Sequence, residues 1–235
     1  MRRVGLVLAL LATALAPLGC AGADGERAQE LLDRSNEALA DVESYRFAGR
    51  LSMETPVGGF TFVMRGGGNA KDGGSSFMSM EAEGVPGFPG VTVVARGGTA
   101  WMSAGAGWQR VELPAESPVG VEQLDFTPYV KDVEVEDGHE VAGEAAVKIT
   151  GVLDTAALVN GVFAQLGAVP GGAVPDLSDA FEDTRIVLYL SEATHLPLRT
   201  LIDMAMEAEG ERIDMHMDFA ITGVNEPVKI PSVGG

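Results

Sequence analysis

RIDMHMDFAI, residues 212–221, carries two readings that lead to different proteins. Taken as a composition, Met215-His216-Met217 offers two soft thioethers and an imidazole, a set suited to Cu(I). Taken as a period, the stretch places Ile213, Met215, Met217, Phe219 and Ile221 at every second position, with Asp214, His216 and Asp218 between them. A β-strand sends alternate side chains to opposite faces. In a strand His216 therefore points away from both sulfurs, and the three groups cannot converge on one ion. The strand reading predicts an apolar wall with a polar back. Methionine pairs meeting from different strands would be the one remaining route to copper.

The same period runs through most of the chain. Tyr45, Phe47, Leu51 and Met53 alternate with Arg46, Ala48, Arg50, Ser52 and Glu54, and Phe60, Phe62 and Met64 alternate with Thr61, Val63 and Arg65. Further strands are predicted over 76–83, 91–96, 99–103, 108–113, 131–136, within 141–153 around Val147 and Ile149, and over 185–191, 197–207 and 211–222. Glycine clusters punctuate them. Gly58-Gly59 and the glycine-rich segment 66–74 are read as turns, and Gly97-Gly98 as a two-residue hairpin. Two segments switch to the helical period. In 26–42, Ala28, Leu31, Leu32, Ser35, Leu39 and Val42 share one face behind an Asp24 N-cap; in 154–166, Leu158, Val159, Val162, Phe163 and Leu166 do so behind Asp154. Residues 118–130 are expected to hold short helical turns, and 167–176 a loop.

Composition sets the frame. Apolar residues make up 46% and charged residues 21%, which is globular, and the 31 glycines fit a turn-rich β protein. A net charge of −18 excludes a nucleic-acid partner, whose phosphates need a basic surface. Arg2 and Arg3 precede an apolar run over 4–18 that is too short to span a bilayer comfortably, so residues 1–19 read as a signal peptide. Cys20, the single cysteine, follows at once. A small residue and then a lone Cys at that place resemble the bacterial lipobox, which implies a lipid anchor on Cys20; ordinary secretion with a stray thiol is the alternative. Residues 20–25 would be a short lipidated tether and 26–235 one domain.

Eight of the ten methionines, Met53, Met64, Met78, Met80, Met204, Met206, Met215 and Met217, fall on the apolar side of their strands. Strands favour branched and aromatic side chains. Methionine is unbranched and adaptable, so it suits either an irregular packed core or an apolar cavity that takes a flexible acyl chain. Two modest helices covering so many strands leave internal space or an open mouth. The loop 83–91, EGVPGFPGV, is either an exposed apolar docking element or a flap over its own core. Trp101 and Trp108 read as rim or core residues. No Gly-x-Ser-x-Gly elbow, metal-spaced Cys/His cluster or phosphate loop is present in the sequence, and His139, His195 and His216 share no motif. The run Asp132, Glu134, Glu136 and Asp137 alternates with valines and lacks the calcium-loop pattern, so it reads as a solvated strand face. Neither a catalytic group, a metal nor a cofactor is expected.

Four segments in order carry a resemblance. They are Thr99-Ala100-Trp101 with Gly107-Trp108-Gln109; Glu140-Val141-Ala142-Gly143 with Val147-Lys148-Ile149-Thr150-Gly151; Ile186-Val187-Leu188-Tyr189 with His195-Leu196-Pro197-Leu198-Arg199; and Asn225-Glu226-Pro227-Val228-Lys229-Ile230-Pro231, taken as a terminal strand. Together they make the chain resemble the LppX/LprG-type lipoproteins, a branch of the LolA/LolB-like lipid-carrier fold. That resemblance implies an α+β architecture, a highly curved antiparallel half-barrel closed by two or more helices around an apolar cavity. It implies a non-catalytic envelope lipoprotein that carries or presents acyl chains of a lipid or lipoglycan. The protein would be extracytoplasmic and held at the cell membrane by lipidated Cys20, with an envelope transporter or regulatory protein as a further partner. The expected lining is Phe47, Leu51, Phe60, Phe62, Met78, Met80, Ile202, Met204, Met215 and Met217. A lipid-sensing or accessory lipoprotein that regulates a membrane protein is the alternative.

Overall fold

RIDMHMDFAI lies within a strand, β11 (Glu211–Thr222), and its alternation is real: His216 pairs across to Asp203 on one face while Met215 and Met217 meet Met204 and Ile202 on the other. The computed structural model describes residues 20–69, 74–112, 126–155, 181–208 and 210–233. One long helix, α1 (Cys20–Ala40), precedes β1 (Ser44–Thr55), β2 (Gly58–Asn69), β3 (Ser75–Glu83), β4 (Val91–Arg96), β5 (Thr99–Ser103) and β6 (Trp108–Glu112). A 3₁₀ turn at Thr127–Tyr129 leads into β7 (Val130–Val141), β8 (Glu144–Leu153), β9 (Phe181–Ser191), β10 (Pro197–Ala208) and β11.

All eleven strands form one antiparallel sheet in the order β6-β5-β4-β3-β2-β1-β11-β10-β9-β8-β7. It is two meanders laid side by side and joined where β1 pairs β11 over Arg46–Glu54 and Asp214–Thr222. The sheet is unclosed and curled, with β6 and β7 at its edges. The β7 edge is interrupted by register shifts, and Asp132 and Gly138 there take positive φ. Such bulges, together with the acids along β7, discourage pairing with another chain.

The helix covers one face of the second meander. Ala28, Leu32, Ser35 and Leu39 form its buried stripe. Leu32 packs into a cluster of Ile149, Leu153, Ile186, Leu188, Leu190 and Ile202, all no more than 3% exposed. Leu39 and Val42 close a second cluster with Tyr45, Phe219 and Ile221. Asn36 accepts a hydrogen bond from the Thr127 hydroxyl, and Arg27 forms an ion pair with Asp137 on β7, so both ends of the helix are pinned. The helix-bearing side is the inner face of the sheet.

Several expectations change. The helix begins at Cys20 rather than after an Asp24 cap, so residues 20–25 belong to α1. Residues 66–68 are not a turn but the end of β2. The Phe47 ring lies over Gly66 and the Tyr45 ring over Gly68, close enough that a Cβ at either place would meet ring carbons at 2.5 and 2.8 Å. Those glycines are seats for aromatic rings, which breaks the apolar alternation that marks a strand in sequence. β7 extends to Val141 because its bulges absorb the glycine, and Ala142-Gly143, with φ of 53° and 88°, makes the hairpin to β8. The Gly97-Gly98 hairpin forms as expected, both residues at positive φ.

Residues 225–231 are not a strand. Pro227 and Pro231 lack the N–H a ladder needs, and the segment instead crosses the outer face. It is held where Ser44 Oγ donates to the Glu226 carbonyl (2.7 Å), Asn225 Oδ1 accepts from the Glu43 N–H (2.8 Å) and Arg96 donates to the Pro231 carbonyl (2.9 Å). Of the turns expected within 118–130, the described end holds the 3₁₀ turn Thr127–Tyr129; residues 118–125, the predicted second helix beyond Thr155 and the loop at 167–176 lie outside the described residues, so among those residues α1 is the single α-helix longer than one turn.

Candidate functional site

Cross-strand registers arrange the inner face in rows. One row runs Met102, Val93, Met78, Gly66, Phe47, Ile221 from β5 to β11. The next runs Val91, Met80, Met64, Gly49, Phe219, Thr200, Leu188, Ile149, Val135 from β4 to β7. A third runs Ala82, Phe62, Leu51, Met217, Ile202, Ile186, and a fourth Phe60, Met53, Met215, Met204. All ten residues expected to line a site therefore stand on one face.

That face has two halves of different composition and depth. Beneath α1 it is mainly leucine and isoleucine, with Tyr45 and Phe219 under the helix end, close-packed and buried. On β1 to β5 and the adjoining ends of β10 and β11 it is methionine and phenylalanine, half-buried or exposed. Ile202 belongs to the first half, at 1% exposure, and Phe47 packs on the cluster around Tyr45 and Phe219. Met204 and Met217 form the border, touching the buried cluster without joining it. Leu51, Phe60, Phe62, Met80 and Met215 are half-buried, and Met78 remains 38% exposed.

None of the nine methionines among the described residues belongs to the buried core. A methionine used as core filler would be among the buried side chains. Here all nine stand on the inner face outside the buried cluster, with Met204 and Met217 at its border. Met102, 37% exposed and facing Val93, is a wall residue outside the expected lining, because the five-residue run Thr99–Ser103 carries too little alternation to mark its face in sequence. The register sends Trp101 and Trp108 to the outer face instead, Trp101 opposite Val94 and Trp108 opposite Ser103.

The loop between β3 and β4 folds partly over its own sheet and leaves part of its apolar surface exposed. Phe88 folds in, edge-on to Phe62 at 5.8 Å, and Phe62 in turn meets Phe60 at 5.3 Å. Val85 stays 39% exposed. A hollow of about 450 Å³ lies beside this loop, lined by Ser79, Glu81, Phe88, Pro89, Thr92 and Ser103 among others. Cys20 is the first residue of α1.

The outer face is ionic. Arg199 holds Asp218 with two bonds, Nε to Oδ1 at 2.8 Å and an Nη to Oδ2 at 2.6 Å, and His216 Nδ1 lies 2.5 Å from Asp203 Oδ1. The hydrogen bonds from Arg199, more than the bare charge, hold the Asp218 carboxyl below its ordinary value of 3.8. A depressed carboxylate contributes stability that is complete above its unfolded value and disappears as pH falls through the lower folded one. Both partners are partly solvated, at 43% and 31% exposure, so the contribution is under about 1 kcal/mol. Between pH 5 and 3 the urea midpoint of Asp218→Asn is expected to fall less than that of the wild type; equal falls would mean that the pair does not contribute to acid sensitivity.

This arrangement defines a class: an unclosed, curled antiparallel sheet with a helix packed across half of its inner face. Among solved structures it is similar to LprF from Mycobacterium bovis, with a TM-score of 0.57 and 15% identity over 89% of this chain and 98% of that one. It is similar as well to the Mycobacterium tuberculosis lipoprotein LppX, with a TM-score of 0.55 and 16% identity over 88% and 99%. The fold is thus of the LppX and LprF type, as the sequence resemblance implied. A LolA superfamily protein from Nitrosomonas europaea, at 12% identity over 87% and 94% with a TM-score of 0.32, is too distant to bear on this chain. No family model matches the sequence, and neither does any curated relative.

Proposed function

We propose that the protein is a cell-envelope lipoprotein that holds the acyl chains of a lipid or lipoglycan against the methionine- and phenylalanine-rich half of its inner face, and carries or presents that lipid without chemistry. The observation that carries this reading is the segregation of the inner face. Isoleucine and leucine fill the cluster under α1, and every described methionine stands outside that buried core, Met204 and Met217 at its border and the others beyond it. A flexible thioether wall suits a flexible, exchangeable guest. Transfer of an acyl chain from water is worth about 0.8 kcal/mol per methylene, so ten or more seated carbons are enough to compete with a bilayer. Residues 1–19 would act as the signal peptide and Cys20 would carry the acyl anchor, which places the body of the protein outside the cytoplasm. The likeness to LppX, itself a lipoprotein, supports the same reading. Additional cover over the wall, enclosing a cavity, belongs to this proposal.

Native mass spectrometry of the protein expressed from Ala21 onward, followed by organic extraction, tests it. A co-purifying acyl lipid, or one taken up from added vesicles, is the expected result. A clean apo mass after incubation with vesicles would overturn the reading and make the wall a surface for a protein partner.

A further inference from the structure

The three turns at one end of the first meander are free of charge. Residues 55–63, 84–91 and 97–109 contain no Asp, Glu, Lys or Arg in a chain that is 21% charged. The antiparallel order β1, β2, β3, β4, β5, β6 puts the β1–β2 tip, the β3–β4 loop and the β5–β6 turn side by side at the same end of the sheet. Val57 at the first tip is 88% exposed, the largest exposure of any bulky apolar side chain among the described residues, and Val85 in the second is 39% exposed. The next tip along, between β10 and β11, brings Glu211 and ends the uncharged run.

These tips continue into the wall. Phe88 of the β3–β4 loop touches Phe62, and Phe62 stands in the row with Leu51 and Met217. The carboxylates nearest the tips, Glu54, Glu81 and Glu83, alternate with wall residues and so face outward, where Glu83 accepts a hydrogen bond from Arg50 at 2.6 Å. An apolar path thus runs from the tips onto the inner face, with its negative charge on the far side.

We infer that these tips dock on the surface of a lipid bilayer and form the entry to the methionine wall. This rests on the proposed function and supplies its missing partner surface. A protein partner fits the geometry poorly. Three narrow tips with exposed valines at Val57 and Val85, beside a hollow lined by Ser79, Glu81, Thr92 and Ser103, do not offer the continuous apolar, shape-matched patch of about 800 Å² that a stable interface needs on each side. A bilayer interface imposes no such matching; each apolar side chain that enters it contributes separately. The outward carboxylates select a surface rich in zwitterionic lipid over an anionic one.

The test uses site-specific fluorescence. Cys20→Ser removes the native thiol, and Val57→Cys, Val85→Cys or Val152→Cys each carries an environment-sensitive NBD label. Val152, 47% exposed on β8, lies four strands across the sheet from β1 and serves as the control. The protein is tethered through a terminal His-tag to phosphatidylcholine vesicles that contain a small fraction of nickel-chelating lipid. Labels at 57 and 85 are expected to shift to the blue and brighten several-fold, the label at 152 to stay as in water, and added phosphatidylglycerol to weaken the response. Water-like emission at 57 and 85 would overturn the docking assignment, whatever lipid the protein binds. A blue shift in a protein that extracts no lipid would keep the docking surface and overturn the carrier reading, so the two fail separately.

Discussion

Met80→Arg is expected to lose lipid retention while the sheet still forms. Met80 sits in the middle of the wall, opposite Met64 on β2 and Val91 on β4, and is half-buried. A guanidinium on a long stem can reach water from such a place, so the folded state tolerates it. The urea midpoint should move by no more than about 1 kcal/mol equivalent. The guest has no such escape. A charge beside the seated chain displaces about four methylenes, which at about 0.8 kcal/mol each costs about 3 kcal/mol, a factor of about 100 in affinity. Extraction and quantification of bound lipid, read together with far-UV circular dichroism, give both halves of the result. Met80→Leu, equally apolar and near in volume, should retain its lipid. Ile202→Ala supplies the opposite pattern. Ile202 is in the same period but packed under α1, so truncation costs about 2–4 kcal/mol of stability and leaves the lipid bound per folded molecule unchanged. If Met80→Arg keeps its lipid, the binding face is not this wall.

That pair of variants marks what the sequence does and does not disclose. A period of two says which side chains share a face, and it places Ile202, Met204, Met215 and Met217 together correctly. It is silent on where a helix crosses that face. The packed half and the open half have the same alternation, so Ile202 and Met80 look equivalent until α1 is in place. The available signal was composition: Ile149, Ile186, Leu188 and Leu190 on β8 and β9 against methionine on β2, β3, β10 and β11. Local chemistry accounts for the clear successes. Gly97-Gly98 is a hairpin because both central residues need positive φ, and His216 faces out because it neighbours Met215 and Met217 in an extended chain. The misreadings share a cause as well. Gly66 to Gly68, Pro227 to Pro231 and the bulged half of β7 are places where a distant partner, a ring, an outer-face segment or a neighbouring strand, decides the conformation.

Two glycine-to-alanine changes with opposite signs test the largest of those misreadings. Replacing glycine in an element ordinarily stabilises a protein by about 0.4–1 kcal/mol, since the unfolded chain loses freedom. Gly25 in α1 has nothing within 4 Å of where a Cβ would stand, and a helix interior prefers alanine. Gly25→Ala should raise the unfolding midpoint accordingly. At Gly66 the same methyl falls on the Phe77 backbone carbonyl of β3 and within 2.5 Å of the Phe47 ring. The ring could rotate away, but the carbonyl belongs to the β2–β3 ladder, in which Gly67 pairs Phe77. Relief therefore requires the strands to part, and Phe47 would leave its stack on Phe219, whose centroid is 5.1 Å away. Overpacking of this kind costs about 3 kcal/mol, a large share of the roughly 5–15 kcal/mol that holds a domain folded. Chemical denaturation of both variants reads the two signs directly. A Gly66→Ala protein as stable as the wild type would mean that residues 66–68 form a turn after all, and that the aromatic stack does not rest on β2.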